Sequence, residues 1–212
     1  MQNQKIRSLL GRFPARALLR PSGYVGQVQP DLVERVVFPL QQMWFARLDP
    51  ATGQGESLQG QFGLVPGWVD DGKGGKGYGR HCYNARCETV FEKPSFRRAI
   101  LESRAAIPVD SFFEYTDRAE GKARRIRVSR KDGEPFFLAG IWERNERYGL
   151  DSVSIVTCEP MELLAPLHSR SPVILTEQEV DGWLVKGLAK EAIGKFLKPA
   201  ESEEFTYAYD PT

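Results

Sequence analysis

The segment Tyr83-Asn84-Ala85-Arg86-Cys87-Glu88-Thr89 places an amide, a guanidinium and a carboxylate at every second position. In extended backbone such residues share one face. That row could hold a phosphate and orient a carbonyl or hydroxyl, or it could be a surface ladder of ion pairs. Glu114, in Phe112-Phe113-Glu114-Tyr115, follows the apolar stretch Ala105 to Val109. Among aromatics, loss of solvation would raise its pKa and favour a general-acid role; at a strand end facing water it would be an ordinary carboxylate. His168 sits in Leu167-His168-Ser169-Arg170-Ser171-Pro172, at a junction where a titratable ring often enters a cleft. Cys82 or Cys87 with His168 and Glu114 supplies the groups of a Cys–His–Glu hydrolase, but the spacing sets no mutual geometry. His81 beside Cys82, with Cys87 further on, lacks the second close pair a zinc site needs, so no metal is expected.

Strand signals surround these groups. Arg125 to Ser129 alternates, Lys131-Asp132-Gly133-Glu134 offers a turn, and Phe136 to Trp142 returns apolar, which predicts a hairpin. Val153 to Thr157 and Val173 to Leu175 read as buried strands. Helices are predicted over Ser95 to Glu102, from Pro160 toward His168, from a capping box made by Thr176 and Glu179, and over Ala189 to Leu197. Many strands with scattered helices and no regular βα alternation predict an α+β domain around a curved sheet. The stretch Asp70 to Gly77 is too glycine-rich for a regular element. Its Gly-Lys pairs are followed by Gly rather than Ser or Thr, so it reads as a mobile surface loop, not a phosphate loop. With no linker, repeat or low-complexity tract, residues 1–212 read as one domain.

Composition narrows the class. Apolar residues at 41% and charged residues at 27% are ordinary for a soluble globular chain. Apolar runs are short and broken, which excludes a membrane-spanning helix, and no leader pattern opens the sequence. Together with three cysteines of no framework spacing, this predicts a cytoplasmic protein with free thiols. The net charge is only +1, yet residues 1–30 hold five Lys or Arg and no acid, and residues 118–131 hold seven cations against one Glu. Such a stripe attracts phosphate without a high pI; it is equally what a solvated charged face looks like.

Six segments in order resemble the SOS response-associated peptidase (SRAP) family. They are Gly11-Arg12-Phe13; Phe62-Gly63-Leu64-Val65-Pro66-Gly67-Trp68; Asn84-Ala85-Arg86-Cys87-Glu88-Thr89; Pro108 to Tyr115; Ala139-Gly140-Ile141-Trp142-Glu143; and His168-Ser169-Arg170-Ser171-Pro172-Val173. The resemblance implies an α+β fold with a curved, mostly antiparallel, barrel-like core and flanking helices. It further implies recognition of abasic sites in single-stranded DNA during the DNA damage response, with no cofactor. In the family an N-terminal Cys attacks the ring-opened sugar through its α-amine, and its thiol then closes a thiazolidine. By position, Asn84 would orient the N-terminus and sugar, and Glu114 with His168 would move protons. Arg12, Arg86 and Arg170 would grip phosphate, and Trp68 would stack on unpaired bases.

The resemblance breaks at the reacting group. Leu10 stands where the family has its Cys, after nine residues that read as an N-terminal extension. A leucine has no nucleophile, so this position forms no thiazolidine. Lesser departures are Phe62, Val109, Ser111, Phe113, Tyr115, Ser169 and Ser171. The leading expectation is a protein that binds single-stranded or abasic-site DNA without crosslinking to it. A second is an abasic-site lyase using another amine, such as that of Met1, or an internal thiol, Cys82 or Cys87. A peptidase-like hydrolase or protein-interaction role unrelated to DNA is the third.

Overall fold

The computed structural model describes residues 25–28, 34–116 and 123–209; Met1, Leu10 and Arg12 lie outside them. Five strands close on themselves: β3 (Gln42–Leu48), β4 (Gly55–Phe62), β6 (Arg104–Val109), β9 (Phe136–Asn145) and β10 (Leu150–Cys158). Hydrogen bonds run β10-β4-β3-β6-β9 and back to β10, antiparallel except between β4 and β10. Closure leaves these strands no long free edge, which is how small barrels avoid pairing with other chains. Short strands β5 (Asn84–Arg86), β11 (Ser171–Pro172) and β12 (Ile174–Leu175) extend this sheet. A second, antiparallel sheet holds β1 (Val25–Val28), β2 (Glu34–Val37), β7 (Ser111–Tyr115), β8 (Arg125–Arg130) and β13 (Phe205–Tyr209), in the order β13-β8-β7-β1-β2.

Period-two patterning sorts side chains between two cores. Ala105, Ile107 and Val109 of β6 join Phe136 and Leu138 of β9 and Val153 and Ile155 of β10 in one cluster, with Phe45 and Phe62. The intervening residues Ala106, Ala139, Ile141 and Val156 belong to the other. That second cluster lies under the helices α2 (Arg97–Glu102), α3 (Glu177–Leu184) and α4 (Lys190–Gly194), through Ile100, Trp183 and Ile193. Trp183 is fully buried and its indole N–H donates to the Ala105 carbonyl at 2.8 Å. A Cβ on Gly140 would lie 2.8 Å from Ile107 Cδ1 and 3.3 Å from Ser154 O, so a side chain there would require Ile107 to shift. The expected α+β fold with a barrel-like core is present.

Several sequence expectations are corrected. β8 and β9 form no hairpin: β8 pairs with β7 and β13, whereas β9 pairs with β6, β10 and β12. Ile126 and Val128 share a core cluster with Phe136 and Leu138, so the two strands meet face to face across sheets rather than edge to edge. Turn chemistry at Asp132-Gly133 reverses the chain in either case. The segment from Pro160 toward His168 forms successive turns, with Ala165 N–H bonded to Met161 O and His168 N–H to Leu164 O, rather than a helix. α3 carries the expected capping box: Thr176 Oγ1 accepts from Glu179 N–H while the Glu179 carboxylate accepts from Thr176 N–H. The glycine-rich stretch does contain a regular turn, α1 (Lys76–Gly79). Asp71 builds it, its carboxylate accepting from the backbone N–H groups of Lys73, Gly75 and Tyr78.

Candidate functional site

The two sheets meet at a cleft of about 740 Å³. β5 runs parallel to the end of β10, with Asn84 opposite Ile155 and Arg86 opposite Thr157. The strand pleat therefore presents Asn84 and Arg86 to the cleft and turns Ala85 into the core. Antiparallel pairing of Pro172 with Thr157 brings the preceding residues, His168 to Arg170, to the same place. From the second sheet, β7 contributes Glu114 and Tyr115. Pro39 closes one wall, on a turn where Leu40 takes φ 73° and donates to Phe62 O at 2.7 Å.

His168 and Glu114 face each other in the cleft, with Nε2 and Oε2 3.6 Å apart. Both side chains are largely buried. The other ring nitrogen, Nδ1, lies 2.9 Å from the Arg170 carbonyl and 3.3 Å from the Arg170 N–H. Asn84 adds a donor and an acceptor on the same cleft. Three cationic side chains line it as well: Arg80, Arg86 and Arg170. This arrangement can pass a proton between a carboxyl and an imidazole beside an amide, under guanidinium groups suited to phosphate.

Arg170 is engaged within the chain. Its Nη1 and Nη2 donate to both oxygens of Glu88 at 3.0 Å, Nη2 also donates to Thr157 O at 2.9 Å, and Nε to Thr157 Oγ1 at 3.3 Å. The Arg170 fork, as the largest influence, holds the Glu88 carboxyl below the usual range. Of the Asn84-Arg86-Glu88 row, two residues face the cleft and the third is the partner of Arg170.

Trp68 does not line this cleft; it stands on the connection between β4 and β5 with 61% of its surface exposed. Its ring meets Tyr78 edge-on at 5.5 Å, and the Tyr78 hydroxyl bonds Ser95 Oγ at 2.7 Å. The backbone beneath it is bolted to β9 and β10 by buried polar side chains. Ser152 Oγ accepts from Val65 N–H at 2.8 Å and Glu143 Oε2 from Gly67 N–H at 3.0 Å. Asn145 Nδ2 donates to Pro66 O and Val69 O at 2.9 Å each.

The cysteines stand apart. Cys82 and Cys158 are buried in the helix-side core, Cys87 packs against it, and none of them lines the cleft. Burial raises all three thiol pKa values, that of Cys158 to about 12. The Cys–His–Glu grouping drawn from Cys82 or Cys87 is therefore not assembled. Sequence reading missed Arg80 and weighed His81 only as a zinc ligand, yet both line the cleft. Their position just before the Asn84 row was the available signal.

The profile of the SOS response associated peptidase family matches residues 27–209. The chain belongs to the SRAP family. An abasic site processing protein of Bacillus subtilis, YoaM, is 34% identical over 149 residues, 68% of this SRAP chain and 63% of that relative. Its Escherichia coli namesake YedK is 28% identical over 136 residues, 62% of this chain and 56% of the relative. The chain thus spans less than two thirds of the length of either. A solved protein from Bacteroides thetaiotaomicron superposes with a TM-score of 0.70 at 27% identity, covering 80% of this chain and 74% of the other. One from Bordetella bronchiseptica reaches 0.74 at 24% identity, covering 99% and 96%, and shares the fold. The SRAP match starts after Gly11-Arg12-Phe13, so the segment holding Leu10 lies outside both the matched and the described residues.

Proposed function

We propose that this SRAP chain binds single-stranded DNA, receives an abasic sugar in the cleft, and does not close a thiazolidine on it. The observation that carries the reading is the Glu114–His168 pair at 3.6 Å in a cleft shared with Asn84, Arg80 and Arg86. Similarity to abasic site processing proteins supports the ligand class. An abasic sugar exposes an aldehyde in its ring-opened form. Asn84 can hydrogen-bond that oxygen, and the His168–Glu114 pair can supply or remove the proton that ring opening requires. Arg80 and Arg86 carry the phosphate contacts in this reading, with Arg12 of the undescribed segment as a further contact. Unpaired bases present open π-faces, for which the exposed Trp68 is a suitable platform. Leu10 brings no thiol, so an adduct, where one forms, stays at a reversible stage.

The retained Glu114–His168 pair favours one second reading, an abasic-site lyase. An amine, with that of Met1 as the first candidate, would add to the aldehyde and lose water to give an imine. Loss of a C2′ proton would then form the C2′=C3′ bond as the C3′–O bond breaks, releasing the strand on the 3′ side with its 5′-phosphate. One assay separates the readings: single-stranded DNA with and without an abasic site, incubated with the protein, with and without borohydride. Binding that favours the abasic strand, with neither adduct nor nick, is the expected result. A borohydride-dependent adduct with nicking would establish the lyase instead. An adduct surviving heat and denaturant without reductant, or no binding to single strands at all, would overturn the proposal.

A further inference from the structure

We propose that Glu88 and Arg170 are positioning residues for His168, holding its ring as the Nδ1–H tautomer with the Nε2 lone pair toward Glu114. The functional meaning of this rests on the abasic-DNA reading; the tautomer itself does not. Two contacts meet at Nδ1. A nitrogen cannot donate to the Arg170 carbonyl at 2.9 Å and accept from the Arg170 N–H at 3.3 Å with the same site. A bare Nδ1 would set its lone pair against the carbonyl oxygen at the shorter distance, whereas a protonated Nδ1 leaves only a longer donor–donor contact. The protonated Nδ1 therefore prevails. The neutral ring then has only an acceptor, Nε2, to turn toward Glu114.

What fixes the carbonyl is the far end of the same residue. The Arg170 guanidinium is clamped by a two-pronged bond to Glu88 and by both oxygens of Thr157, a nearly buried residue of β10. Thr157 O also takes the Cys87 N–H at 2.8 Å, and the next residue in the strand, Cys158, pairs with Ser171 of β11. The backbone at residue 170 is thus held from both its side chain and the following strand. Because Glu88 follows Asn84 and Arg86 in one short segment, the clamp also ties their segment to that of His168. Four of the five Arg170 N–H groups are used in this way. A guanidinium so engaged serves as a strut, beside Arg80 and Arg86, which line the same cleft.

The test is long-range ¹H–¹⁵N correlation of the His168 ring at about pH 8.5, roughly two units above an ordinary imidazole, with assignment by His168→Gln. The wild-type ring is expected to show protonated Nδ1 and bare Nε2. The opposite tautomer in the wild type overturns the proposal without any variant. Glu88→Gln sets an amide N–H against the guanidinium and is expected to give a tautomer mixture; Arg170→Lys, which keeps the cation and loses the fork, should do the same. On DNA, Glu88→Gln should cut the preference for abasic over intact single strands about tenfold, the value of one hydrogen bond to a charged group. Affinity for intact strands should stay within about twofold. An unchanged tautomer in Glu88→Gln, joined to tighter and more salt-sensitive binding of intact strands, would mean that Glu88 masks a phosphate grip, and would refute the strut. If the wild type binds no single strand, the DNA reading falls while the ring spectra still decide the tautomer.

Discussion

Asn145 offers a way to ask whether the exposed indole of Trp68 works because the chain beneath it is held still. The Asn145 side chain is fully buried and donates 2.9 Å bonds to Pro66 O and Val69 O, the carbonyls on either side of the turn carrying Trp68. Asn145→Ala takes the partner from Val69 O and from the Tyr148 N–H that Asn145 Oδ1 accepts at 3.2 Å, whereas Pro66 O keeps the Val69 N–H at 3.0 Å. At about 1–3 kcal/mol for each of these two groups, global stability should fall by roughly 2–6 kcal/mol, so assays belong at low temperature with near-ultraviolet circular dichroism as the check on folding. A base stacked on an aromatic ring contributes about 1–3 kcal/mol, or roughly 5- to 150-fold in Kd. A turn no longer held should forfeit much of that. In fluorescence anisotropy with a labelled single strand at fixed salt, Asn145→Ala is expected to weaken binding about fivefold or more. In a Trp68→Ala background the same change should cost less than about twofold, because the platform is already gone. Equal factors in the two backgrounds would refute the reasoning, since they would mean that Asn145 acts on binding by another route. So would full affinity in the single variant.

Two further outcomes follow from packing and burial. Gly63 sits at φ 123°, and a Cβ there would lie 2.4 Å from the backbone oxygen of Gly79, so Gly63→Ala should lose about 3 kcal/mol or more in urea denaturation; a loss under about 1 kcal/mol would show that the approach of these two segments is not tight. Burial lifts the Cys158 thiol to about 12 from an ordinary value of 9.0. The unfolded chain ionises first, so this stabilisation is whole below about pH 9 and is lost as pH rises toward 12, by up to about 2 kcal/mol at pH 10.5. Denaturation at pH 8 and 10.5 should therefore show a flatter decline for Cys158→Ala than for the wild type, and equal declines would exclude the buried thiol as a cause.

How far the site could be read ahead of the structure depended on whether its geometry was local. The alternation in Asn84-Ala85-Arg86 is a property of any extended segment, and the two polar residues do share a face while Ala85 is buried. The capping box at Thr176 and Glu179 is likewise complete within one turn of chain. By contrast, nothing local sets β8 against β13 instead of β9. A reversing turn serves either pairing, and the decision lies in which apolar faces must meet across the sheets. The turns from Met161 to Leu167 made a plausible helix by pattern, but Ser171 and the β11 pairing hold the chain end at Cys158 and cut it short.

The sequence alone determined the period-two sorting of the strands, the apolar and charged balance, the helix cap, the order of six family-like segments, and the absence of a thiol at Leu10. These are facts of residue type and short spacing, which chemistry reads without knowing where the chain goes. Only the tertiary structure decided that His168, 54 positions beyond Glu114, comes within 3.6 Å of it. Only there did Arg170 meet Glu88, 82 residues away, and the thiols of Cys82 and Cys87 turn from the cleft toward the helix-side core. The physical reason is that a contact between distant residues is set by closure of the barrel and the packing of two sheets. That is a property of all the strands at once, which no single stretch of sequence carries.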